Sequence, residues 1–267
     1  MSAPVISASL VKELREQTGA GMMDCKRALE ESGGDIEAAR VLLRERGVAS
    51  AAKRAGRETT EGLVGYLAGD SHSTMVAVGC ETEPVSKNDD FRAFADKVLD
   101  GVDADGVGAV ESLDDERQEL VGKLGENIVV AGAARFEKVD GGVIAGYVHP
   151  PAKKLGVLVQ LRGGNGDLAK KVAMHIAASG PQWITREDVP AETAAAEKEI
   201  YSNSDEVLSK PEQAREKIVE GMLNKRFYAA NVLDEQPWIH DTTKTVGQAL
   251  ADEGAEALEF ERFSLAG

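Results

Sequence analysis

The chain has 267 residues, 42% of them hydrophobic and 29% charged, which is enough to bury a sizeable core in one or two domains. Its formal net charge of −15 excludes non-specific nucleic-acid binding, which depends on clustered Lys and Arg, and makes a protein the expected partner. Two cysteines exclude a disulfide framework, and the absence of any run of 18 apolar residues excludes a membrane helix. The opening MSAPVISASLVKELR carries no basic segment followed by an apolar block, so no export signal is read there and a cytoplasmic protein is expected.

Charge is uneven along the chain. Residues 1 to 58 hold ten Lys/Arg and nine Asp/Glu, leaving 21 and 37 for the rest. Within that segment, residues 8 to 47 read as three short helices separated by glycine. In ASLVKELREQTG the apolar side is Leu10, Val11 and Leu14, with Ser7 or Ser9 as N-cap and Gly19 as the stop. MMDCKRALEESGG follows, and then DIEAARVLLRERG with Asp35 as N-cap and Ile36, Ala39, Leu42 and Leu43 at helical spacing. The basic, small-residue stretch VASAAKRAGRETTEG reads as a helical tail or linker, with a boundary near Gly56.

From Glu61 the pattern changes to short apolar runs of period two, and a weak repeat emerges. GLVGYLAGDSHSTMVAVGC and GVIAGYVHPPAKKLGVLVQL both read as strand, turn, strand, with Tyr66, Val76 and Val78 matching Tyr147, Val157 and Val159 at an offset of 81. Each hairpin leads to a helix: DDFRAFADKVLDGV aligns with GDLAKKVAMHIAAS at an offset of 77, pairing Phe91 with Leu168 and Leu99 with Ile176. The connection CETEPVSKNDDF in the first copy is therefore four residues longer. Third strands are expected at 127–138 and 257–265, each containing an Arg-Phe pair. The second copy also carries an insertion of two helices, each with a proline, Pro190 or Pro211, at its first position. Its thin apolar seam is read as Ala195, Ile200, Val207, Leu208, Ile218 and Met222, suited to a partner or to a second copy of the chain. The expected fold is α+β: a three-helix domain over 1–56, and core subdomains over 57–139 and 140–267, the latter with a helical hairpin at about 189–228.

Catalytic chemistry finds little support. His72, His149, His175 and His240 are widely spaced, with no HxxxH, CxxC or HExxH pattern, so no metal site or cofactor is expected. Cys80 ends an apolar strand, where a buried thiol acts as a small hydrophobe rather than a nucleophile. Thr18-Gly-Ala-Gly21 lacks the Lys-Ser/Thr and the preceding strand of a phosphate loop. Met22 and Met23 follow that turn, and so small a bundle cannot easily bury both. Either one Met plugs the core or, with Arg15 and Lys26 beside them, they form a docking patch.

The run ASLVKELREQTGAGMMDCKRALEESGGDIEAARVLLRERG resembles the N-terminal domain of the bacterial translation elongation factor Ts family over its full length. FRAFADKVLD, KLGENI, GVLVQL, VAMHIAAS, KIVEGM, KTVGQAL and the final ERF fall in the family's order, so the resemblance covers essentially the whole chain. It implies a ubiquitin-associated-like N-domain, two related α+β core subdomains and a helical hairpin. It further implies a guanine nucleotide exchange factor, not an enzyme of bond chemistry, acting on elongation factor Tu in its GDP-bound and nucleotide-free states. By this resemblance Arg15, Met22 and Met23 dock on Tu, His149 contacts it from the core, and Thr82, Glu83, Pro84 and Val85 match a Thr-Asp-Phe-Val loop that disturbs Tu's Mg²⁺ site. Pro84 departs from the family's Phe and Glu83 from its Asp. A non-exchanging adaptor of the same fold is the alternative.

Overall fold

A computed structural model describes residues 6–266, so the first five residues and Gly267 lie outside the described residues. Three helices open the chain: α1 (Ala8–Thr18), α2 (Met22–Glu31) and α3 (Ile36–Arg54). Ser7, not Ser9, caps α1 by accepting the Leu10 N–H at 3.2 Å, and Gly19 closes it in the left-handed conformation at φ 65°. Asp35 caps α3 through the Ala38 N–H at 3.0 Å. Their shared core is Val11, Leu14, Cys25, Ala28, Leu29 and Ala39. Neither Met22 nor Met23 plugs it, as both are exposed.

The third helix continues through Gly47 to Arg54. A glycine inside a helix costs about 1 kcal/mol relative to Ala, and here the crossing with a later helix gives the reason. That helix is one of four between the second and third strands: α4 (Glu83–Ser86), α5 (Asp89–Asp105), α6 (Ala109–Ser112) and α7 (Asp114–Leu124). A Cβ on Gly122 of α7 would lie 2.9 Å from the Gly47 Cα, so the two backbones approach as closely as two glycines allow. Arg44 of α3 reaches Asp115 at 2.6 Å and Glu119 at 3.4 Å across the same crossing.

The remainder is built as the repeat requires. Strands β1 (Glu61–Ala68), β2 (His72–Cys80) and β3 (Ile128–Glu137) form one antiparallel sheet in that order, and β4 (Gly142–Val148), β5 (Leu155–Arg162) and β6 (Glu256–Ser264) form another. Residues alternate across each middle strand. Val76 and Val78 of β2 meet Phe91, Phe94, Val98 and Leu99 of α5. Its Met75 and Ala77 face the other way, joining Val64, Phe136 and Leu158 in a cluster between the sheets. The helix α8 (Gly166–Ser179) covers the second sheet, with Leu168, Val172 and Ile176 against Val157, Val159 and Leu161. Asn88 opens α5 and Asn165 opens α8, each accepting two backbone N–H groups. The two caps stand at the same offset of 77 as the helices they begin.

The inserted hairpin is α9 (Ala191–Ser202), α10 (Asp205–Leu208) and α11 (Glu212–Met222), followed by a π-helical turn over Leu223–Tyr228, the short α12 (Ala229–Asn231) and, after a loop, α13 (Val246–Asp252). Pro190 and Pro211 are N-caps rather than first helical residues. Its seam differs from the expected one. Val207 and Met222 are buried and Ile218 half-buried, whereas Ala195, Ile200 and Leu208 are exposed. The inward side of α9 is Ala194 and Tyr201, one position away from Ala195 and Ile200, and one residue turns a helical side chain by about 100°. Val189, Val219, Leu223, Phe227 and Val232 complete the cluster towards the hairpin's root.

One buried ionisable group ties the loop between α12 and α13 to α8. His175 is fully buried, with Nε2 2.9 Å from the Gln236 Oε1 and Nδ1 accepting the Ile239 N–H at 3.4 Å, an arrangement that fits the neutral imidazole protonated on Nε2. Burial lowers its pKa below the ordinary histidine value, and the nearby His240 adds to the effect. With the native pKa depressed, the unfolded chain takes up the proton first as pH falls. Stability from this site is therefore full above about pH 6.5 and declines below it by up to about 1.4 kcal/mol per pH unit until the native pKa is reached. In urea melts, the unfolding free energy of the native chain is expected to fall more steeply from pH 7 to pH 5.5 than that of His175→Gln; parallel curves would contradict this assignment.

Candidate partner-docking surface

The turn between α1 and α2 presents the first group of candidate residues. Met22 and Met23 are 54% and 63% exposed at the start of α2, and Arg15 is exposed in the last turn of α1. Lys26 is also exposed but spends its charge on Glu30 at 3.7 Å, a surface pair of small energetic weight. This leaves an exposed apolar pair at the start of α2 and, in the last turn of α1, Arg15, which forms no ion pair among the described residues.

The second group, in the connection after β2, is a single helical turn rather than an open loop. Glu83 is its first residue, and Pro84 occupies a position whose N–H has no helical acceptor, so a proline is tolerated there without loss. Glu83 and Pro84 face outward. Val85 is half-buried against the α5 core, and the buried Ser86 hydroxyl donates to the Glu83 carbonyl at 2.8 Å. Lys87 pairs with Glu83 at 2.7 Å and holds its carboxyl below the usual range. The two aspartates of the connection, Asp89 and Asp90, occupy the first turn of α5, where carboxylates meet unpaired N–H groups.

The base of this turn is fixed by residues that had no assigned role. The Glu126 Oε2 accepts the N–H groups of Glu81 at 3.1 Å and Thr82 at 3.0 Å, and its Oε1 accepts the Thr82 hydroxyl at 2.5 Å. In return the Glu81 Oε1 accepts the Asn127 N–H at 2.6 Å, and Arg57 approaches both Glu81 oxygens at 3.3 Å. Glu126 lies in KLGENI, but only its spatial partner, over forty residues away, discloses what it does.

The two candidate groups are joined through the end of α7. Lys123 packs so closely on Gly19 that a Cβ there would come within 2.6 Å of the ammonium nitrogen, and the same ammonium pairs with Asp90 at 2.8 Å. The methionine turn and the start of α5, the helix that follows the Glu83–Ser86 turn, are thus connected by one side chain. His149 is exposed in the β4–β5 turn, its Nδ1 2.7 Å from the Tyr147 hydroxyl. That turn is bound to β1 by the Val64 N–H on the Lys153 carbonyl at 2.7 Å and by the Lys154–Glu61 ion pair. The charge of Lys154 also acts on Cys80 and Glu83.

Nucleophilic chemistry does not fit the site. Burial, reinforced by the Glu126 carboxylate, pushes the Cys80 thiol up to about 12, so the reactive thiolate is suppressed. Among the described residues no cluster of His, Cys, Asp and Glu could hold a metal ion, and no helix is long and apolar enough to cross a membrane.

Comparison with known proteins is consistent over nearly all of the chain. A family model described as elongation factor TS matches residues 81–267. Elongation factor Ts of Methylococcus capsulatus is 43% identical over 97% of this chain and 92% of its own length, and that of Idiomarina loihiensis is 42% identical over 97% and 91%. Elongation factor Ts of Escherichia coli K12 (DH10B) is 42% identical over the same shares, 97% and 91%. Identity at this level across almost the full length, together with the family match over the core, establishes that the chain belongs to the elongation factor Ts family.

Proposed function

We propose that this chain is a guanine nucleotide exchange factor that binds elongation factor Tu in its GDP-bound and nucleotide-free states and speeds GDP release. The observation that carries this reading is the one-turn helix Glu83–Ser86, which offers Glu83 and Pro84 to a partner on a base fixed by Glu126. Family membership and the exposed Met22–Met23 pair support it. Both subdomains contribute, since the His149 turn is tied to β1.

The action is negative coupling between two ligands of Tu. If the factor weakens GDP by some ratio, GDP weakens the factor by the same ratio, so the factor must bind best to the nucleotide-poor shape. Mg²⁺ bridges phosphate oxygens and protein groups in GTPases, and displacing the loops that hold it removes much of the nucleotide's electrostatic anchoring. A rigid turn suits this task, because a flexible one would yield before the partner did. No covalent bond is made or broken, and nucleic acid has no part in it. Ile200 and Leu208, exposed on the hairpin, provide further apolar surface for Tu or for a second copy of the chain.

Fluorescent-GDP release from Tu, with and without the chain, tests the reading; no acceleration at saturating protein favours the adaptor. Glu83→Ala is expected to slow release at saturation and Pro84→Phe to raise it, each by roughly 3- to 10-fold, since the added ring supplies contact area that Pro84 lacks. Rates unchanged in both variants would remove the turn from the mechanism.

A further inference from the structure

The turn's own shape depends on a residue that is not part of it. Thr82 stands at the N-cap position of Glu83–Ser86, yet its side chain does not cap that helix. The hydroxyl is directed to Glu126 instead, which also takes the Thr82 and Glu81 N–H groups. Two carboxylates thus cross: Glu126 holds the backbone of 81 and 82, and Glu81 holds the backbone of 127. Hydrogen bonds to an ionised acceptor are the stronger kind, and a pair crossing in both directions fixes position as well as distance. Asn127 extends the contact to the end of the linker, its side-chain amide donating to the Arg57 carbonyl at 2.9 Å.

We propose that Glu126 is the positioning residue of the exchange turn: it touches no partner, and sets the place and angle at which Glu83 and Pro84 meet one. This rests on the exchange reading above. The geometry also separates position from charge. A glutamine at 126 retains one oxygen able to accept both N–H groups, and its amide nitrogen donates to the Thr82 hydroxyl, so every contact survives without the negative charge. An alanine removes them all.

Two measurements on the full chain test the assignment. Amide hydrogen exchange of the free protein reads the turn without Tu: Glu126→Ala is expected to speed exchange at residues 81–87 by about tenfold or more while the sheets keep their protection, and Glu126→Gln to stay within about threefold of the native chain. GDP release from Tu reads the consequence. Glu126→Ala is expected to lower the maximal acceleration by about tenfold or more, with the half-saturating concentration within about threefold, and Glu126→Gln to restore most of it. Native protection at 81–87 in Glu126→Ala, or a glutamine variant as impaired as the alanine one, overturns the proposal. A native chain that fails to accelerate release, with the amide pattern as expected, leaves Glu126 holding the turn and refutes the exchange role for both the turn and the residue.

Discussion

Replacing Met22 and Met23 together by alanine is expected to weaken association with elongation factor Tu by about 30- to 700-fold, and to leave the melting temperature within a degree or two. Both side chains are more than half exposed, and the bundle's core is complete without them in Val11, Leu14, Cys25, Ala28, Leu29 and Ala39. Little folding free energy is therefore at stake. Two unbranched thioethers side by side can adapt to a groove, and anchors buried at an interface centre cost about 1–2 kcal/mol or more each when truncated. Two such losses give the stated range. Titration of nucleotide-free Tu with the double variant, alongside a thermal melt, checks both halves. A melting temperature lower by many degrees would return the methionines to the core, and unchanged affinity would remove them from the interface.

Gly62→Ala is expected to destabilise the chain by about 2–6 kcal/mol, combining backbone strain of about 1–3 with overpacking of about 1–3. Gly62 lies in β1 at φ 140°, a conformation that side-chain-bearing residues rarely adopt. A Cβ there would overlap the Val78 carbonyl oxygen and come within 2.9 Å of both the Gly79 Cα and a Leu265 methyl. Gly62 pairs with Gly79, so the conflict falls on the ladder that joins β1 to the central strand. At about 2–4 °C per kcal/mol for chains of this size, the melting temperature should fall by roughly 10 °C. Gly108, with nothing within 4 Å of its would-be Cβ, is the control, and Gly108→Ala should melt close to the native chain. Calorimetry of the two variants decides it; equal melting temperatures would mean that the strand relaxes around the added methyl.

Much of the architecture was written locally. Ser7, Gly19 and Asp35 end or begin helices because each acts on backbone groups within a turn of itself. The repeat placed all six strands, as alternation over seven to ten residues survives wherever the strand later pairs. Register was another matter. The two Arg-Phe pairs look equivalent, yet Arg135 faces Thr74 whereas Arg262 faces Val157, the counterpart of Val76. Each third strand skips one residue, at Ala77/Val78 in one sheet and Gln160/Leu161 in the other, and the two-position difference holds on both sides of that irregularity, so it belongs to the placement of the whole strand. On the hairpin, Ile200 and Leu208 were misplaced because a seam inferred from hydrophobicity alone tolerates an error of one residue, and a helix does not. At the site, the four residues 82–85 stood out by their extra length, but Glu126 acts on Thr82, Arg57 on Glu81 and Lys123 on Asp90 from far along the chain, and they leave no local pattern.

The crossing of Gly47 on Gly122 determines how the molecule can hold a partner. Helix α3 is about 28 Å long and lies against α7 near its middle, while Lys123 secures the methionine turn to the start of α5. If the exchange reading holds, the two proposed contact points are thereby set at a constant span. Engagement of one delivers the other at high effective concentration, without the loss that a swinging linker would impose. Such a span also acts as a gauge: a partner whose two receiving surfaces are wrongly spaced can be met by the methionines or by the turn, but not by both.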